Sequence, residues 1–169
     1  LPANRELAGA EVELIELAAL SERRGFAARE TVAIQGDQAD LVYNVTIGAL
    51  RLYALLPDGR RHIVGFLLPG DFLGLGLQDR NLFSADAIVE TRACCFRRAD
   101  FKSFAARKPH LLERLHRTAA HEMTAAQQRL VLLGQARAET RILSFIMNLR
   151  ERWSHVCGRN SVTVALPMS

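Results

Sequence analysis

The apolar residues of this chain change period near Ala99, and that change bounds the fold more tightly than any single motif. From Phe26 to about Phe96 they come in short alternating or β-branched runs. The runs are Thr31–Gln35, Leu41–Ile47, Ala49–Leu56, Arg61–Leu68, Ser84–Glu90 and Arg92–Arg97. Between them stand Gly36-Asp37, Gly48, Pro57-Asp58-Gly59, Pro69-Gly70-Asp71 and the glycines at 74 and 76. Alternation sends successive side chains to opposite faces of a strand. Short strands at this spacing predict an antiparallel sandwich or barrel. Pro57-Asp58-Gly59-Arg60 predicts a tight hairpin turn, because proline presets φ and glycine accepts turn geometry.

The flanks read as helical. Glu6 to Arg23 carries Leu7, Leu14, Ile15, Leu17, Ala18 and Leu20 on one stripe, and Gly25 is expected to break that helix. Asp100–Arg107 predicts a short helix stopped by Pro109, which then suits the first turn of a long helix to about Leu133. Along it Leu112, His116, Ala119, Met123, Ala126, Leu130 and Leu133 recur in alternating steps of 4 and 3. That is the 3.5-residue seam of a coiled coil, and alanines at 119 and 126 let two backbones approach closely. Leu111 and Leu115 beside the seam equally suit packing on the chain's own strands. His116 either sets register in a seam, where protonation would repel a facing histidine, or reaches out to water. Gly134 is expected to close this helix, Arg137–Arg152 to open another, and Ser161–Leu166 to form a strand. Ser169 stands where a helix N-cap is expected. That position, and Leu1 in place of an initiator methionine, point to a piece of a longer chain.

Charge narrows the function classes. The net charge is +4, yet residues 1–100 carry 11 Arg and Lys against 14 Asp and Glu, and residues 101–169 carry 11 against 4. A basic C-terminal third suits a polyanion, nucleic acid first, or a solvated arginine-rich helix surface. No apolar run approaches the roughly 18 residues of a membrane span. No basic and then apolar leader follows Leu1. A cytoplasmic protein without a membrane partner is expected. Cys94, Cys95 and Cys157 cannot pair completely and form no C-x-x-C, which fits a reducing compartment. Cys94 and Cys95 should face opposite sides of one strand, with core packing set against a redox or haem role.

Catalytic readings find little support. A metal-binding cupin needs several histidines and a carboxylate converging from strands, and His62 is the one histidine of the strand region. There is no G-x-S-x-G, and Gly70-Asp71-Phe72-Leu73-Gly74-Leu75-Gly76 lacks the lysine of a phosphate-binding P-loop. No catalytic residue and no metal site are expected.

Several local sequences, in order, resemble the Crp/Fnr family of bacterial transcription regulators, in the form of its FixK/Fnr-like branch. Gln35-Gly36-Asp37-Gln38-Ala39 is similar to the family's E-G-D-x-A turn. Gly48–Tyr53 followed by Pro57–Arg61 is similar to its central hairpin, and Gly65–Leu75 to its F-x-x-G-D-x-x-G stretch. Leu132-Leu133-Gly134 with Arg141-Ile142 resembles the hinge toward the DNA-binding domain, and Leu166–Ser169 its lead-in. The resemblance implies a mainly β plus α architecture: a double-stranded β-helix (jelly roll) of cyclic-nucleotide-binding type, a long dimerisation helix, and the start of a winged helix-turn-helix. Residues 1–107 would be the sensor domain, 108–134 the dimerisation helix and 135–169 the incomplete DNA-binding domain. A homodimer, operator DNA and RNA polymerase are the partners it implies, with Ser169 near a DNA phosphate. A stand-alone cyclic-nucleotide-binding-like module is the alternative, which the basic segment Gln135–Ser169 argues against.

The departures from that pattern bear on the ligand. Nucleotide-binding members carry a Glu after the second glycine of the stretch and an Arg-Ser or Arg-Thr pair further on. Those positions are Leu75 and, approximately, Ser84-Ala85. A cyclic phosphate without its arginine would be left unpaired, which is costly. Gly70, Asp71, Gly74, Leu75, Ser84 and Ala85 are therefore candidate effector-pocket residues, with Arg80 and Arg92 as candidate substitutes for the arginine. No cofactor is expected: cAMP binding is disfavoured, and residues 1–30 hold no cysteine for an iron–sulfur cluster.

Overall fold

The computed structural model describes Glu13, residues 15–76 and 78–135, and beyond them Glu139, Ile142–Ser144, Ile146, Met147 and Arg150. The expected strand Ser161–Leu166, Cys157 and Ser169 lie outside the described residues. The chain divides after Phe104 into two compact units.

Among the described residues the first unit holds eight strands: β1 Glu22–Phe26, β2 Thr31–Ala33, β3 Leu41–Ile47, β4 Leu50–Leu55, β5 Arg61–Leu67, β6 Phe72–Leu73, β7 Ser84–Ala87 and β8 Thr91–Arg97. They form two antiparallel four-stranded sheets, ordered β1-β8-β3-β6 and β2-β7-β4-β5. The pairs β4·β5, β3·β6, β2·β7 and β1·β8 nest one inside the next. The pattern is that of one long hairpin wound into two layers, its tip at Pro57–Arg60. At that tip Leu56 N–H donates to the Arg60 carbonyl at 2.9 Å, and Asp58 Oδ1 accepts the Arg60 N–H at 3.0 Å. That backbone bond holds the Asp58 carboxyl below its ordinary value.

Alternation decides what is buried. Tyr43 and Val45 of β3, Ala93 and Cys95 of β8, Leu50 of β4, Ala87 of β7 and Phe26 of β1 meet in one core between the sheets. The opposite face of β8 turns Phe96 toward helix α1, Arg98–Ala106, where Phe101 lies 5.4 Å from Phe96 and 5.9 Å from Phe72 between ring centroids. Asp100 in the first turn of α1 suits the positive end of the helix dipole.

Three sequence expectations are corrected here. The N-terminal helix does not reach Arg23: residues 15–19 are helical, Ser21 Oγ donates to the Ala18 carbonyl at 2.7 Å, and β1 begins at Glu22. Gly25 lies within that strand, paired with Arg92. β1 is an edge strand with Phe26 as its one buried residue, so it shows no apolar alternation. β6 was also not expected; two residues long, it exists through its pairing with Tyr43 and Asn44. The long helix, α2, runs Pro109–Gln135 and so continues through Gly134. One glycine costs a helix only about 1 kcal/mol, too little to end it.

In the second unit, Leu112 N–H donates to the Lys108 carbonyl at 3.0 Å, so the first α2 turn starts where Pro109 needs no donor. An exposed Glu113–Arg117 pair spans one turn at 2.8 Å. Of the following helix, Glu139, Ile142–Ser144, Ile146, Met147 and Arg150 are described, and they are helical.

Candidate functional site

The turn Pro69-Gly70-Asp71 is docked on β3. Gly70 N–H donates to the Val45 carbonyl at 2.8 Å, and Val45 N–H donates to the Asp71 carbonyl at 3.0 Å. Asp71 Oδ2 accepts the Leu68 N–H at 2.8 Å, and Asn44 Nδ2 reaches the Gly70 and Asp71 carbonyls. Gly70 and Asp71 are thus engaged within the turn itself. Gly74 has φ +90°, and a Cβ there would sit 2.5 Å from the Leu41 carbonyl oxygen, so the chain hugs β3 only with glycine at this place. Leu75 beside it is half-buried.

Further on, the chain returns along the turn at residues 36–39. Gly36 N–H donates to the Asn81 carbonyl, Asn81 N–H to Asp37 and Ala39 N–H to Asp79, each at 2.9 Å. Arg80 is exposed and donates from Nη1 to the Gly36 carbonyl at 2.6 Å. Arg92 is exposed too, with Nη2 3.6 Å from Glu90 Oε1. Ser84 is buried and its Oγ accepts the Gln35 N–H at 3.0 Å. Ala85, wholly buried, pairs with Leu52 and Ala33. The structure therefore brings Gly74 against Leu41 of β3 and Arg80 onto the 36–39 turn, and places Arg92 on β8, where it pairs with Ile47 of β3.

Clefts open among the described residues of this unit. One of about 930 Å³ is lined by Glu22, Arg24, Asp40, Cys95, Arg97 and Arg98 among others. A second of about 350 Å³ lies among Thr31–Ile34, Asp37–Leu41, Tyr43 and Asn81. None of the eight effector-pocket candidates lines either cleft. Among the described residues no group of three His, Cys, Asp or Glu side chains is placed to hold a metal ion, and His62 is exposed on β5.

Cys95 forms part of the core and Cys94 is half-exposed. Burial pushes the Cys95 thiol up from 9.0 to about 11, and burial likewise raises the neighbouring Tyr43 phenol, whose hydroxyl donates to the Val32 carbonyl at 3.3 Å. The folded state holds Cys95 neutral above pH 9, where the unfolded chain ionises. Its contribution to stability is full below pH 9 and is lost as pH rises toward about 11. In native protein at pH 8, iodoacetamide should label Cys94 at least tenfold faster than Cys95, as read by peptide mass spectrometry. Equal labelling would show that the core opens freely at β8.

On α2 the seven seam positions fall on one uninterrupted helix. Its own unit leaves Leu112 40% exposed and Met123 63% exposed, and His116, Ala119 and Ala126 are exposed as well. An apolar stripe left to water is the mark of a face that binds something.

Residues 23–108 match the family model for the cyclic nucleotide-binding domain. The chain is 45% identical over 157 residues to the nitrogen fixation regulation protein FixK of Bradyrhizobium diazoefficiens, covering 93% of this chain and 66% of that protein. It is 40% identical over 163 residues to the transcriptional activatory protein AadR of Rhodopseudomonas palustris, covering 96% and 67%. The chain belongs to the Crp/Fnr family of transcription regulators. The solved structure of FixK2 from Bradyrhizobium japonicum superposes with a TM-score of 0.76 at 30% identity, covering 88% of this chain and 73% of that one. This Crp/Fnr chain spans about two thirds of the length of the curated relatives it matches. Those relatives are a regulation protein of nitrogen fixation and a transcriptional activatory protein. No helix among the described residues is long and apolar enough to cross a membrane.

Leu75 and Ala85 carry no polar side-chain group, Ser84 Oγ accepts the Gln35 N–H, and Arg80 and Arg92 are both exposed. Sequence reasoning also missed two charged residues of this region. Asp86 is buried, and both its oxygens accept from Arg51, at 3.0 and 2.6 Å. Arg61 approaches Asp86 at 3.6 Å while lying 4.7 Å above the Tyr53 ring. A lone aspartate between alanines in a β-run was the available signal, since such a charge needs a cross-strand partner. Arg98 is the second, buried beneath the segment that carries Gly76 and Gln78.

Proposed function

We propose that this chain is the sensing and dimerisation portion of a transcription regulator that binds operator DNA as a homodimer. In this reading the two nested sheets are a jelly roll, residues 1–107 the sensor domain, 108–134 the dimerisation helix and 135–169 the entry to a winged helix-turn-helix. The 3.5-residue stripe on α2, exposed at Leu112, His116, Ala119, Met123 and Ala126, carries the proposal, because a regulator of paired half-sites needs a two-fold partner. Leu112, His116, Ala119, Met123, Ala126, Leu130 and Leu133 would face their copies across the axis. Ser169 would lie near a DNA phosphate, and RNA polymerase would be the downstream partner in the cytoplasm.

Base readout needs a helix in the major groove. Residues 1–169 should therefore bind an inverted repeat no better than random duplex, through salt-sensitive phosphate attraction alone. A version extended to the length of the FixK relatives should prefer the inverted repeat by about a thousandfold or more at physiological salt. Gel shifts of both at about 150 mM salt make the test; operator preference by the shorter chain, or none by the longer, refutes the reading.

The roll is proposed to work without a cyclic nucleotide. Isothermal titration of the dimer with cAMP and cGMP should show no heat of binding at ligand concentrations up to about 1 mM, which corresponds to less than about 4 kcal/mol of affinity. Micromolar binding would overturn this and would direct attention to Arg80 and Arg92.

A further inference from the structure

Arg98 opens α1, yet its side chain does not extend into solvent: the residue is 8% exposed. Nη1 donates to the Ala39 carbonyl at 3.1 Å and also to the Gln78 carbonyl, and Nη2 donates to the Gly76 carbonyl. The Arg98 backbone N–H donates to the Asp40 carbonyl at 2.8 Å. Among the described residues no carboxylate pairs with this guanidinium, and its Nε has no acceptor. A buried cation without a counter-charge is expensive unless dipoles replace the lost water. Here three carbonyl oxygens from two separate segments do so, in the planar fork geometry that suits arginine and not lysine.

We infer that Arg98 is a tethered ligand of this corner of the roll. Its guanidinium fills a cradle of carbonyl oxygens and fastens the segment bearing Gly76 and Gln78 to residues 39–40 and to the first turn of α1. That segment follows Gly74 and Leu75 and precedes Arg80 in the chain. A molecule drawing it outward must break the guanidinium contacts, uncover a cation and release the start of α1 together. Gly76 and Gln78 are thereby held in place by the protein's own side chain. The inference stands on this geometry and does not depend on DNA binding.

Residue-resolved amide exchange by NMR on the 169-residue chain tests it, comparing wild type, Arg98→Ala and Arg98→Lys. The Gly36, Ala39 and Asn81 amides, which bridge the two segments, should lose protection at least tenfold in Arg98→Ala. The Leu56 amide at the hairpin tip should stay within twofold. Ethylguanidinium at millimolar concentration should restore at least a third of the lost protection, because the emptied cradle accepts a free guanidinium; sodium chloride at the same strength should not. Arg98→Lys keeps a charge but not the fork, so its loss should be intermediate, and it decides the matter if the alanine variant does not fold. Unchanged protection in either variant overturns the inference. So does a loss spread evenly over both sheets, or a local loss that ethylguanidinium leaves untouched.

Discussion

Ala119→Glu is expected to turn the proposed dimer into a monomer without harming the fold. Ala119 is exposed on α2 and glutamate is among the good helix formers, so the single chain should keep its fold. Across a two-fold axis the same change sets two carboxylates against each other at close range. At an effective dielectric of about 20 their repulsion is about 2–4 kcal/mol, which alone weakens association by roughly 30- to 1000-fold. Light scattering at micromolar protein should show half the wild-type mass, with circular dichroism unchanged. An undiminished mass would remove the seam from the dimer interface, and the stripe through Met123 would need another occupant.

Gly48→Ala is expected to cost more stability than any surface change. Gly48 has φ +87°, and an added Cβ would lie 2.5 Å from both the Glu90 carbonyl oxygen and Thr91 Oγ1, and 2.8 Å from Thr91 Cα. Nothing there is free to yield. Thr91 is fully buried, and its Oγ1 donates to the Val89 carbonyl at 2.8 Å while accepting the Ala49 N–H at 3.2 Å. The left-handed backbone costs a non-glycine residue about 1–2 kcal/mol, and the overlap adds about 1–3 kcal/mol as overpacking. A fall in Tm of about 10–20 °C follows for a unit near 100 residues. Gly36→Ala is the control: φ is +88° but nothing lies within 4 Å of the added Cβ, so only the backbone part of about 1–2 kcal/mol should appear. Equal losses from the two variants would mean that the β3–β4 turn relaxes away from Thr91.

The elements that sequence reasoning recovered are those whose signal is local. Strands β3, β4 and β8 alternate in part along their own length, β5 is a short β-branched and apolar run between turn residues, and the Pro57–Arg60 turn carries its own chemistry. The α2 seam repeats through a helix long enough to show its period. β1 and β6 escaped because an edge strand with one buried residue and a two-residue strand have no period to read; their partners on β8 and β3 create them. The candidate effector residues were legible as positions, through resemblance, but not as contacts. Nothing in Arg80 or Arg92 itself says that one turns to Gly36 and the other to Glu90.

The amino-acid order by itself determined the β-to-α succession and the helix stripe, since each depends on residues within a few positions of one another. Tertiary structure alone decided which charges are buried and by what they are met. Arg51 and Asp86 stand 35 residues apart, and Arg98 reaches a carbonyl 59 residues away. Such pairings follow from the winding of two sheets, and a buried charge is tolerable only where that winding delivers a partner.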